Sequence, residues 1–305
     1  MNVFQPDASP PRLILGTAQL GMRYGIGNVS GQPDRATARR IIEAALENDI
    51  FYFDTAQAYG ESETLLGTIL EELGALAEAR IVTKLSATLD PAAPACIEAA
   101  IEESLNRLRA DRLWGMLIHQ PAWLTCWDSG LGDILEHYRV HGRIAALGVS
   151  LNTVNDAPAA LAHPRMEILQ APCNAWDRRM KDRRFLDAAR DQGRLCCIRS
   201  VYLQGLLTMT PDAVTARLPA ARDAATRWWR LAEEFGASPQ ELAIRYALTL
   251  ETPLVVGAET PAQVHDTARM ARLAPLTPDA VETIASVMDP ALHEEILEPW
   301  RWPAS

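Results

Sequence analysis

The chain has 305 residues, of which 48% are hydrophobic and 22% charged, a composition typical of globular proteins. Its formal net charge of −10 argues against a nucleic-acid-binding surface, because such surfaces are basic. There is no apolar run long enough to span a bilayer and no signal-peptide pattern at the amino terminus. The five cysteines show no CxxC spacing, so we predict reduced thiols and a soluble cytoplasmic protein.

Short apolar segments typical of β-strands recur along the whole chain. Several, such as GRIAALGV and PLVVGA, are almost wholly apolar, as expected for parallel strands that are covered on both faces. We predict eight strands, at Leu13–Thr17, Phe51–Thr55, Ile81–Leu85, Leu113–His119, Ile144–Ser150, Glu167–Ala171, Leu195–Ser200 and Leu254–Gly257.

Amphipathic helical segments fill the intervals between these strands and follow the last one. Their apolar residues recur at three- and four-residue spacing, which indicates one buried face. We predict helices over residues 36–49, 61–73, 96–108, 131–142, 157–162, 183–193, 222–236, 238–250, 261–274 and 277–288.

Eight β/α alternations without a linker predict a closed (β/α)8 TIM barrel that forms a single domain over residues 1–305. The alternative is an open doubly wound sheet, but its G-x-G-x-x-G fingerprint is missing after the first strand. Helices and a tail, from about residue 259 to 305, follow the eighth strand. The tail carries Trp300 and Trp302 and either folds over the barrel mouth or frays.

Four polar residues stand at or just after the carboxyl ends of three neighbouring predicted strands. Asp54 ends the second strand and Tyr59 follows in its loop, Lys84 lies near the end of the third, and His119 ends the fourth. Each has an ordinary structural explanation, such as a helix cap for Asp54 or a surface charge for Lys84. Because the carboxyl ends of barrel strands converge on one pocket, the set as a whole predicts a catalytic site.

These residue types suit general acid–base chemistry on an oxygen that gains negative charge. A phenol exchanges protons poorly at neutral pH unless its environment assists it, and a neighbouring ammonium group stabilises a phenolate. Asp54 would hold Lys84, and His119 would hydrogen-bond the reacting oxygen. Reduction of a carbonyl by hydride transfer requires such a proton donor.

Over essentially its whole length the sequence resembles the aldo-keto reductase superfamily. The matching segments are LGTAQLG, DTAQAYGESETLLG, the TK of IVTKL, IHQP, LGVS and SVYLQGLL. The resemblance implies a (β/α)8 barrel and a nicotinamide cofactor across its mouth. It also implies reduction of an aldehyde or ketone to an alcohol, with Tyr59 as general acid assisted by Asp54, Lys84 and His119.

The resemblance further implies a cofactor site made by the strand ends and the last loops. Ser150 and Gln170 would hold the nicotinamide carboxamide, and Gly16 and Thr17 would line the same end. The backbone from Ser200 through Leu203 to Gly205 would surround the pyrophosphate. The remaining cofactor residues, at the end of the eighth strand and after it, would be Gly257, Glu259, Gln263 and Thr267.

Two positions depart from the pattern of the family. Leu151 follows Ser150 where the family commonly has Asn, which removes one carboxamide contact. Arg199 stands where an aromatic ring often stacks on the nicotinamide. A guanidinium group can still stack because it is planar, so we keep Arg199 among the cofactor-binding residues.

The segment GAETPAQ after the eighth strand favours NAD(H), with NADP(H) as the alternative. It has no basic residue for a 2′-phosphate and contains Glu259. A carboxylate facing a phosphate at ~4 Å would cost about 4 kcal/mol at an effective dielectric of ~20. It would instead accept hydrogen bonds from ribose hydroxyls. In the opposing arrangement Glu259 points to solvent, and Arg269 or Arg272 reaches in.

For the substrate we predict a sugar or other small carbonyl compound, in a pocket walled by Tyr24, Trp123 and Trp127. No metal is predicted, because HExxH and cysteine–histidine zinc spacings are missing. The alternative function is that of a regulator that binds NAD(H) and acts through a protein partner. The potassium-channel β-subunits and the cell-division regulator KidO show that the superfamily includes such proteins.

Overall fold

A computed structural model describes residues 10–302 of the chain. Eight parallel strands close into a barrel in sequence order, with β8 beside β1. Both the closed barrel and all eight predicted strands are confirmed. The strands are β1 (Leu13–Gly16), β2 (Tyr52–Asp54), β3 (Arg80–Leu85), β4 (Leu113–Ile118), β5 (Ile144–Ser150), β6 (Ile168–Pro172), β7 (Leu195–Arg199) and β8 (Leu254–Gly257).

Helices connect the strands and surround the barrel. They are α1 (Ala18–Gly21), α2 (Arg35–Glu47), α3 (Ser62–Glu72), α4 (Pro94–Arg107), α5 (Leu131–Val140), α6 (Ala157–Ala162), α7 (Arg179–Asp182), α8 (Phe185–Asp191), α9 (Pro211–Arg217), α10 (Arg222–Glu234), α11 (Pro239–Leu248), α12 (Pro261–Ala271), α13 (Pro278–Met288) and α14 (Glu294–Leu297). Short 3-10 helices lie at Pro121–Ser129, Val154–Asp156, Leu206–Thr208, Pro219–Ala221, Asp289–Ala291 and Pro299–Arg301.

The ten predicted helices are confirmed as α2–α6, α8 and α10–α13. The prediction missed four short helices of four to seven residues, α1, α7, α9 and α14. Three of these, α1, α7 and α14, have four residues each, about one turn, which is too short to show a periodic apolar face. Among the described residues, no helix is long and apolar enough to cross a membrane.

The register of the strands brings their carboxyl ends to one edge of the barrel. Gly16 pairs with Asp54 on one side and with Gly257 on the other. Farther round, Ser150 pairs with Gln170. The predicted polar residues at the strand ends therefore face a common mouth, where a parallel barrel holds its functional groups.

Apolar side chains fill the space inside the barrel and between the barrel and its helices. Ile14, Leu117 and Ile168 belong to a small cluster of buried residues contributed by the strands. A separate buried cluster surrounds Trp176 and Trp228, whose rings meet edge to face. A further buried cluster joins residues of the strands to residues of the surrounding helices. The strands are therefore packed on both faces, which fixes the positions of the polar groups at their ends.

Candidate active site

Two glycines from separate motifs place Tyr59 at the mouth. A Cβ atom at Gly21 would lie 1.7 Å from the Tyr59 carbonyl oxygen, and one at Gly60 would lie 2.3 Å from the Gly21 carbonyl oxygen. Gly60 also has a φ of +55°, a conformation that favours glycine. The loop that carries Tyr59 can therefore approach α1 only because both positions lack a side chain.

A buried network of hydroxyl groups supports this loop from below. The Ser62 hydroxyl donates to the Thr17 carbonyl and hydroxyl oxygens, each at 2.8 Å, and Thr55 donates to Ser62 at 3.0 Å. Nearby, the Thr83 hydroxyl donates to the buried Glu63 carboxylate at 2.6 Å. Sequence reasoning missed Thr55, Ser62, Glu63 and Thr83; the density of polar residues directly after an apolar strand in DTAQAYGESE was the available signal.

Lys84 and Asp54 form a buried ion pair beneath Tyr59. Lys84 Nζ lies 2.7 Å from Asp54 Oδ1 and 2.9 Å from the Thr55 carbonyl oxygen, and the lysine side chain is fully buried. Burial alone would lower the pKa of Lys84, but the Asp54 carboxylate and the Tyr59 phenol outweigh it, so the pKa lies above its ordinary value. The helix-cap role for Asp54 and the surface role for Lys84 are thus both wrong.

The Tyr59 side chain lies between Lys84 and His119. Lys84 Nζ is 5.0 Å from the centroid of the Tyr59 ring, and the Tyr59 and His119 ring centroids are 6.1 Å apart at an interplanar angle of 85°. The tetrad predicted from three separate strands is therefore brought together at one place. An ammonium group, a phenol and an imidazole in contact can act as a proton donor and its supporting groups.

His119 is held as a neutral imidazole. Burial, followed by the charges of Lys84 and Arg199, lowers the pKa of His119 to about 4. Its buried Nδ1 atom has no hydrogen-bond partner among the described residues. A neutral ring beside a charged lysine avoids the repulsion between two cations and retains one N–H donor and one acceptor.

Asp54 is also linked to Ser150 and Gln170, the two residues that the family resemblance assigns to the nicotinamide carboxamide. Gln170 donates through Nε2 to Asp54 Oδ2 at 2.7 Å, and the Ser150 hydroxyl donates to Gln170 Oε1 at 3.2 Å. Asp54 thus accepts from Lys84 with one oxygen and from Gln170 with the other. This bridge across the barrel from β3 to β6 was not predicted.

A cavity of about 830 Å³ opens above these groups. Most of the predicted site residues line it, whereas Lys84 and Gln170 lie buried beneath its floor. The predicted residues on the lining are Gly16, Thr17, Tyr24, Asp54, Tyr59, His119, Ser150, Arg199, Ser200, Leu203, Gly205, Gly257, Glu259, Gln263 and Thr267.

The predicted pocket walls Trp123 and Trp127 are not part of that lining, and we correct this expectation. Trp123 is 7% exposed and packs in the hydrophobic core. Trp127 packs against the His163 ring, with the ring centroids 4.5 Å apart, and against Gly132. The 3-10 helix Pro121–Ser129 lies against α5 and α6, so it turns both indoles away from the cavity.

The loop after β7 curves along the cavity with several residues in the left-handed region. Ser200, Leu203 and Gln204 have φ values of 63°, 46° and 55°. The Gln204 carbonyl oxygen accepts from the Gly27 amide at 3.1 Å, which ties this loop to the loop after β1. Such unusual backbone conformations persist where the surroundings impose them and are common at functional sites.

The segment after β8 directs a carboxylate toward the cavity. Glu259 is partly buried, and Ser30 donates its hydroxyl to Glu259 Oε2 at 3.2 Å. Burial raises the pKa of Glu259, although the Ser30 hydroxyl opposes the change. Arg269 also lines the cavity, but it is largely exposed and lies 3.5 Å from Asp266; Arg272 does not line it.

The C-terminal tail lies on the cavity rim through its residues up to 302. Leu297, Pro299 and Trp300 are among the lining residues. The buried Glu298 carboxylate is bound by Arg179 at 3.0 Å and by Arg301 at 2.7 Å. Of the two alternatives for the tail, the structure therefore shows it folded over the mouth; residues 303–305 lie outside the described part of the chain.

The fold and the site together define a parallel (β/α)8 barrel with an acid, an amine, a phenol and an imidazole at one mouth. A profile described as the aldo/keto reductase family matches residues 12–289. The chain belongs to that family, a group of nicotinamide-dependent oxidoreductases, which confirms the resemblance noted in its motifs.

Two curated relatives match part of the chain. The chain is 29% identical to the aldo-keto reductase YhdN of Bacillus subtilis over 207 residues, which are 65% of this chain and 60% of that protein. It is 33% identical to the 6-dehydroglucose reductase of Novosphingobium aromaticivorans over 140 residues, which are 42% of this chain and 45% of that protein. The chain thus aligns with about half of the length of these relatives.

Two solved structures share the fold. The glycerol dehydrogenase from Gluconobacter oxydans superposes with a TM-score of 0.75 at 24% identity, covering 99% of this chain and 97% of the other. An aldo-keto reductase from Bacillus halodurans, in its holo form, superposes with a TM-score of 0.76 at 22% identity, covering 96% and 98%. At these identities the likeness shows the fold alone.

Proposed function

We propose that this protein reduces an aldehyde or ketone to an alcohol and that Tyr59 donates the proton. The observation that carries the proposal is the position of Tyr59 on the cavity wall, directly above the buried Lys84–Asp54 pair and beside neutral His119. A bound nicotinamide dinucleotide would supply the hydride. The residues of the chain supply the proton and the electrostatic support.

In this scheme Tyr59 gives its phenolic proton to the carbonyl oxygen as negative charge develops there. Lys84 is charged and held in place by Asp54, so it stabilises the phenolate that remains. His119 is neutral, so its N–H group can donate a hydrogen bond to the same oxygen without adding a second cation. The proton lost by Tyr59 is then replaced from solvent at the cavity mouth.

The cavity also offers a fit for the dinucleotide. It extends from the tetrad along the β7 loop to Glu259, Gln263 and Thr267 at the start of α12. Ser150 places a hydroxyl on the lining at the nicotinamide end, and Gln170 lies beneath it and accepts from that hydroxyl. These residues would hold the two ends of an elongated cofactor, and the segment from Ser200 to Gly205, which lines the cavity, would face its middle.

We propose NAD(H) as the preferred cofactor because the charge nearest the ribose end is negative. Glu259 is oriented by the Ser30 hydroxyl and by its own backbone N–H bond to Gln263 Oε1 at 2.6 Å. The guanidinium that α12 contributes to the lining, that of Arg269, already lies beside Asp266. A 2′-phosphate would thus meet a carboxylate rather than an unpaired cation.

The substrate would be a small carbonyl compound, with sugars among the candidates. One relative is named a 6-dehydroglucose reductase and one structural neighbour a glycerol dehydrogenase, so polyhydroxylated compounds belong in the first panel of substrates. Tyr24 remains a candidate wall of the substrate pocket because it lines the cavity. A cytoplasmic location, with no nucleic-acid or membrane partner, remains part of the proposal.

The purified protein is first titrated with NADH and with NADPH, and binding is monitored by tryptophan quenching. A panel of aldehydes is then added, and consumption of the cofactor is measured. We expect tighter binding of NADH, and a loss of turnover in Tyr59→Phe with cofactor affinity nearly intact. Tyr24→Phe is the matched control: it removes another phenol from the same cavity and should keep turnover, with a change in KM at most. Turnover retained by Tyr59→Phe would contradict the proposal.

The cofactor preference has a separate test. Glu259→Lys exchanges the carboxylate for a cation and should move the ratio of the NADH and NADPH dissociation constants toward NADPH by at least about 10-fold. The control is Glu47→Lys, which makes the same charge change on an exposed side chain at the end of α2, outside the cavity lining. An equal shift in both variants would rule out a local effect of Glu259.

A second candidate is a regulator that binds the dinucleotide and acts through a protein partner. It is favoured by the tail, because Trp300 both lines the cavity and is 58% exposed, so a bound ligand would lie next to an accessible surface. A pull-down with tagged protein, with and without NADH, tests it. A partner retained in only one cofactor state, together with no carbonyl turnover, would favour the regulator over the reductase.

A further inference from the structure

Arg199 differs from the other basic side chains at the cavity in its partners. Arg179 is paired with Asp177 and Glu298. Arg269 lies beside Asp266, and Lys84 beneath the floor is paired with Asp54. Within residues 10–302, Arg199 has no carboxylate at ion-pair distance, although it lines the cavity and is partly buried.

The Arg199 guanidinium is held by neutral acceptors across the mouth of the barrel. Its Nη2 donates to the Leu151 carbonyl oxygen at 2.8 Å, and its Nη1 donates to the Ser200 hydroxyl at 3.2 Å. Because Arg199 pairs in register with Pro172 at the end of β6, the side chain extends from β7 past β6 to the end of β5. The two positions that depart from the family pattern, Leu151 and Arg199, are therefore in contact.

The charge of Arg199 acts at the end of the cavity that holds the candidate general acid. It helps to lower the pKa of His119, after burial and Lys84, and it opposes the rise in the pKa of Tyr24 that burial causes. The side chain reaches toward β5 and away from Glu259 after β8. Its field is therefore directed at the substrate end rather than at the ribose end.

Neutral partners do not fully offset the free-energy cost of partly burying a cation such as Arg199. Removal from water costs free energy that neutral hydrogen bonds recover only in part, whereas an oxyanion recovers more of it through charge and paired N–H donors. Asn152 also lines the cavity beyond Leu151, and its side-chain amide has no hydrogen-bond partner among the described residues. Asn152 is therefore a second candidate donor on the lining, next to the end of β5.

We propose that Arg199 binds a carboxylate of the carbonyl substrate, so that the enzyme prefers aldehyde or keto acids to neutral carbonyl compounds. This inference rests on the proposed reductase function, of which it names the substrate class. The other source of an oxyanion is the cofactor pyrophosphate, which would lie by the neighbouring β7 loop. The direction of the side chain toward β5 favours the substrate.

The test uses two aldehydes of equal length, 4-oxobutanoate and its uncharged amide. For the wild-type protein we expect a higher kcat/KM with the acid. In Arg199→Gln the kcat/KM for the acid, divided by that for the amide, should fall about 10- to 100-fold, the value of a charge-assisted hydrogen bond. Arg199→Lys keeps the charge but not the paired donors, so it should retain part of the preference.

The matched control is Arg227→Gln, which removes an arginine from an exposed ion pair on α10, away from the cavity lining. It should leave the ratio of the two kcat/KM values unchanged. If Arg199→Gln instead weakens NADH binding in the quenching titration and lowers both kcat/KM values equally, Arg199 serves the pyrophosphate and the inference is wrong.

A binding measurement separates this inference from the proposed function. Calorimetry with 4-oxobutanoate on Tyr59→Phe loaded with NADH, with and without Arg199→Gln, reports the anion site in the absence of turnover. Binding that depends on Arg199, with no reduction of any aldehyde by the wild type, would support the anion site and overturn the reductase. Rapid reduction of neutral aldehydes, with no preference for acids, would keep the reductase and overturn the anion site.

Discussion

Two networks of charged residues lie at the cavity, and they differ in burial and in how the chain assembles them. In the first, Lys84 and Asp54 lie on adjacent strands and are 0% and 6% exposed. In the second, Glu298 of the tail joins Arg179 of the β6 loop and Arg301, and the arginines are 27% and 52% exposed. The first pair is fixed by strand register, whereas the second depends on a loop and a terminal segment that pack only in the folded protein.

This difference in burial suits the two networks to different roles. A pair held at strand ends and sealed from water keeps its geometry and a strong electrostatic interaction, which suits proton transfer. A pair that is open to water on one side is weaker and can break at modest cost. We therefore expect substitutions in the Lys84–Asp54 pair, the mouth network, to abolish function. We expect the ion pairs of Glu298 in the tail to break more easily.

The largest effect is expected from Lys84→Met. The substitution leaves the Asp54 carboxylate buried without its cation, which should lower the free energy of unfolding by about 3–5 kcal/mol and abolish turnover. Urea unfolding measures the first effect. The double variant Lys84→Met with Asp54→Asn should recover part of the stability but no turnover. A loss below about 1 kcal/mol in the single variant would show that the pair is not the rigid unit described above.

The next effect is the pH dependence of stability that arises from His119, which lies beside Lys84. Because the pKa of His119 is about 4 in the folded protein and ordinarily about 6.5, the unfolded chain binds more protons between these values. Stability contributed by neutral His119 is therefore complete above about pH 6.5 and is lost as the pH falls toward 4, by at most about 3 kcal/mol. Unfolding of the wild type and His119→Gln at about pH 7 and about pH 4.5 measures it; parallel losses in both proteins would contradict the prediction.

A smaller effect is expected from Glu298→Gln. The neutral amide keeps the shape but loses the charge that holds Arg179 and Arg301, which should cost roughly 1–3 kcal/mol and make the tail more sensitive to proteolysis. Glu294→Gln is the control in the same tail, because Glu294 is 70% exposed and lies 3.8 Å from Arg301. Equal proteolysis of the two variants would show that Glu298 does not fasten the tail.

The smallest effect is expected from Asp223→Asn, which removes the exposed partner of Arg227 on α10. Exposed pairs at this spacing contribute less than about 0.5 kcal/mol, and salt screens them further. The change in unfolding free energy should therefore fall within about 0.5 kcal/mol of the wild type. A larger loss would mean that the contrast between buried and exposed charges in this molecule is overstated.

Much of the fold could be predicted because the strands carry a local signal. A segment such as GRIAALGV is almost wholly apolar, since both faces of a barrel strand are buried. The tetrad could be located for the same reason: each of its residues lies at or just after the end of such a strand, and parallel strands bring their carboxyl ends together. The hydrogen bond from Gln170 to Asp54 could not be predicted in this way, because it joins residues 116 positions apart.

The pocket walls illustrate the limit of this reasoning. Trp123 and Trp127 follow β4 at the expected place, but the sequence does not state which way a 3-10 helix turns its side chains. Packing against α5 and His163 decides that orientation. The contact between Arg199 and Leu151 could not be predicted either. The sequence identified both positions as unusual, but it contains no information that places one against the other.

The sequence by itself determined the order of the elements, the closed barrel and the chemical groups at its mouth, because hydrophobic period and strand-end position are local properties of the chain. Only the tertiary structure decided which of these groups share hydrogen bonds, which way the aromatic walls face and where the tail lies. Those features arise from contacts between distant segments. The free energy of these contacts depends on burial, distance and charge in the folded protein, and a local sequence pattern contains none of these quantities.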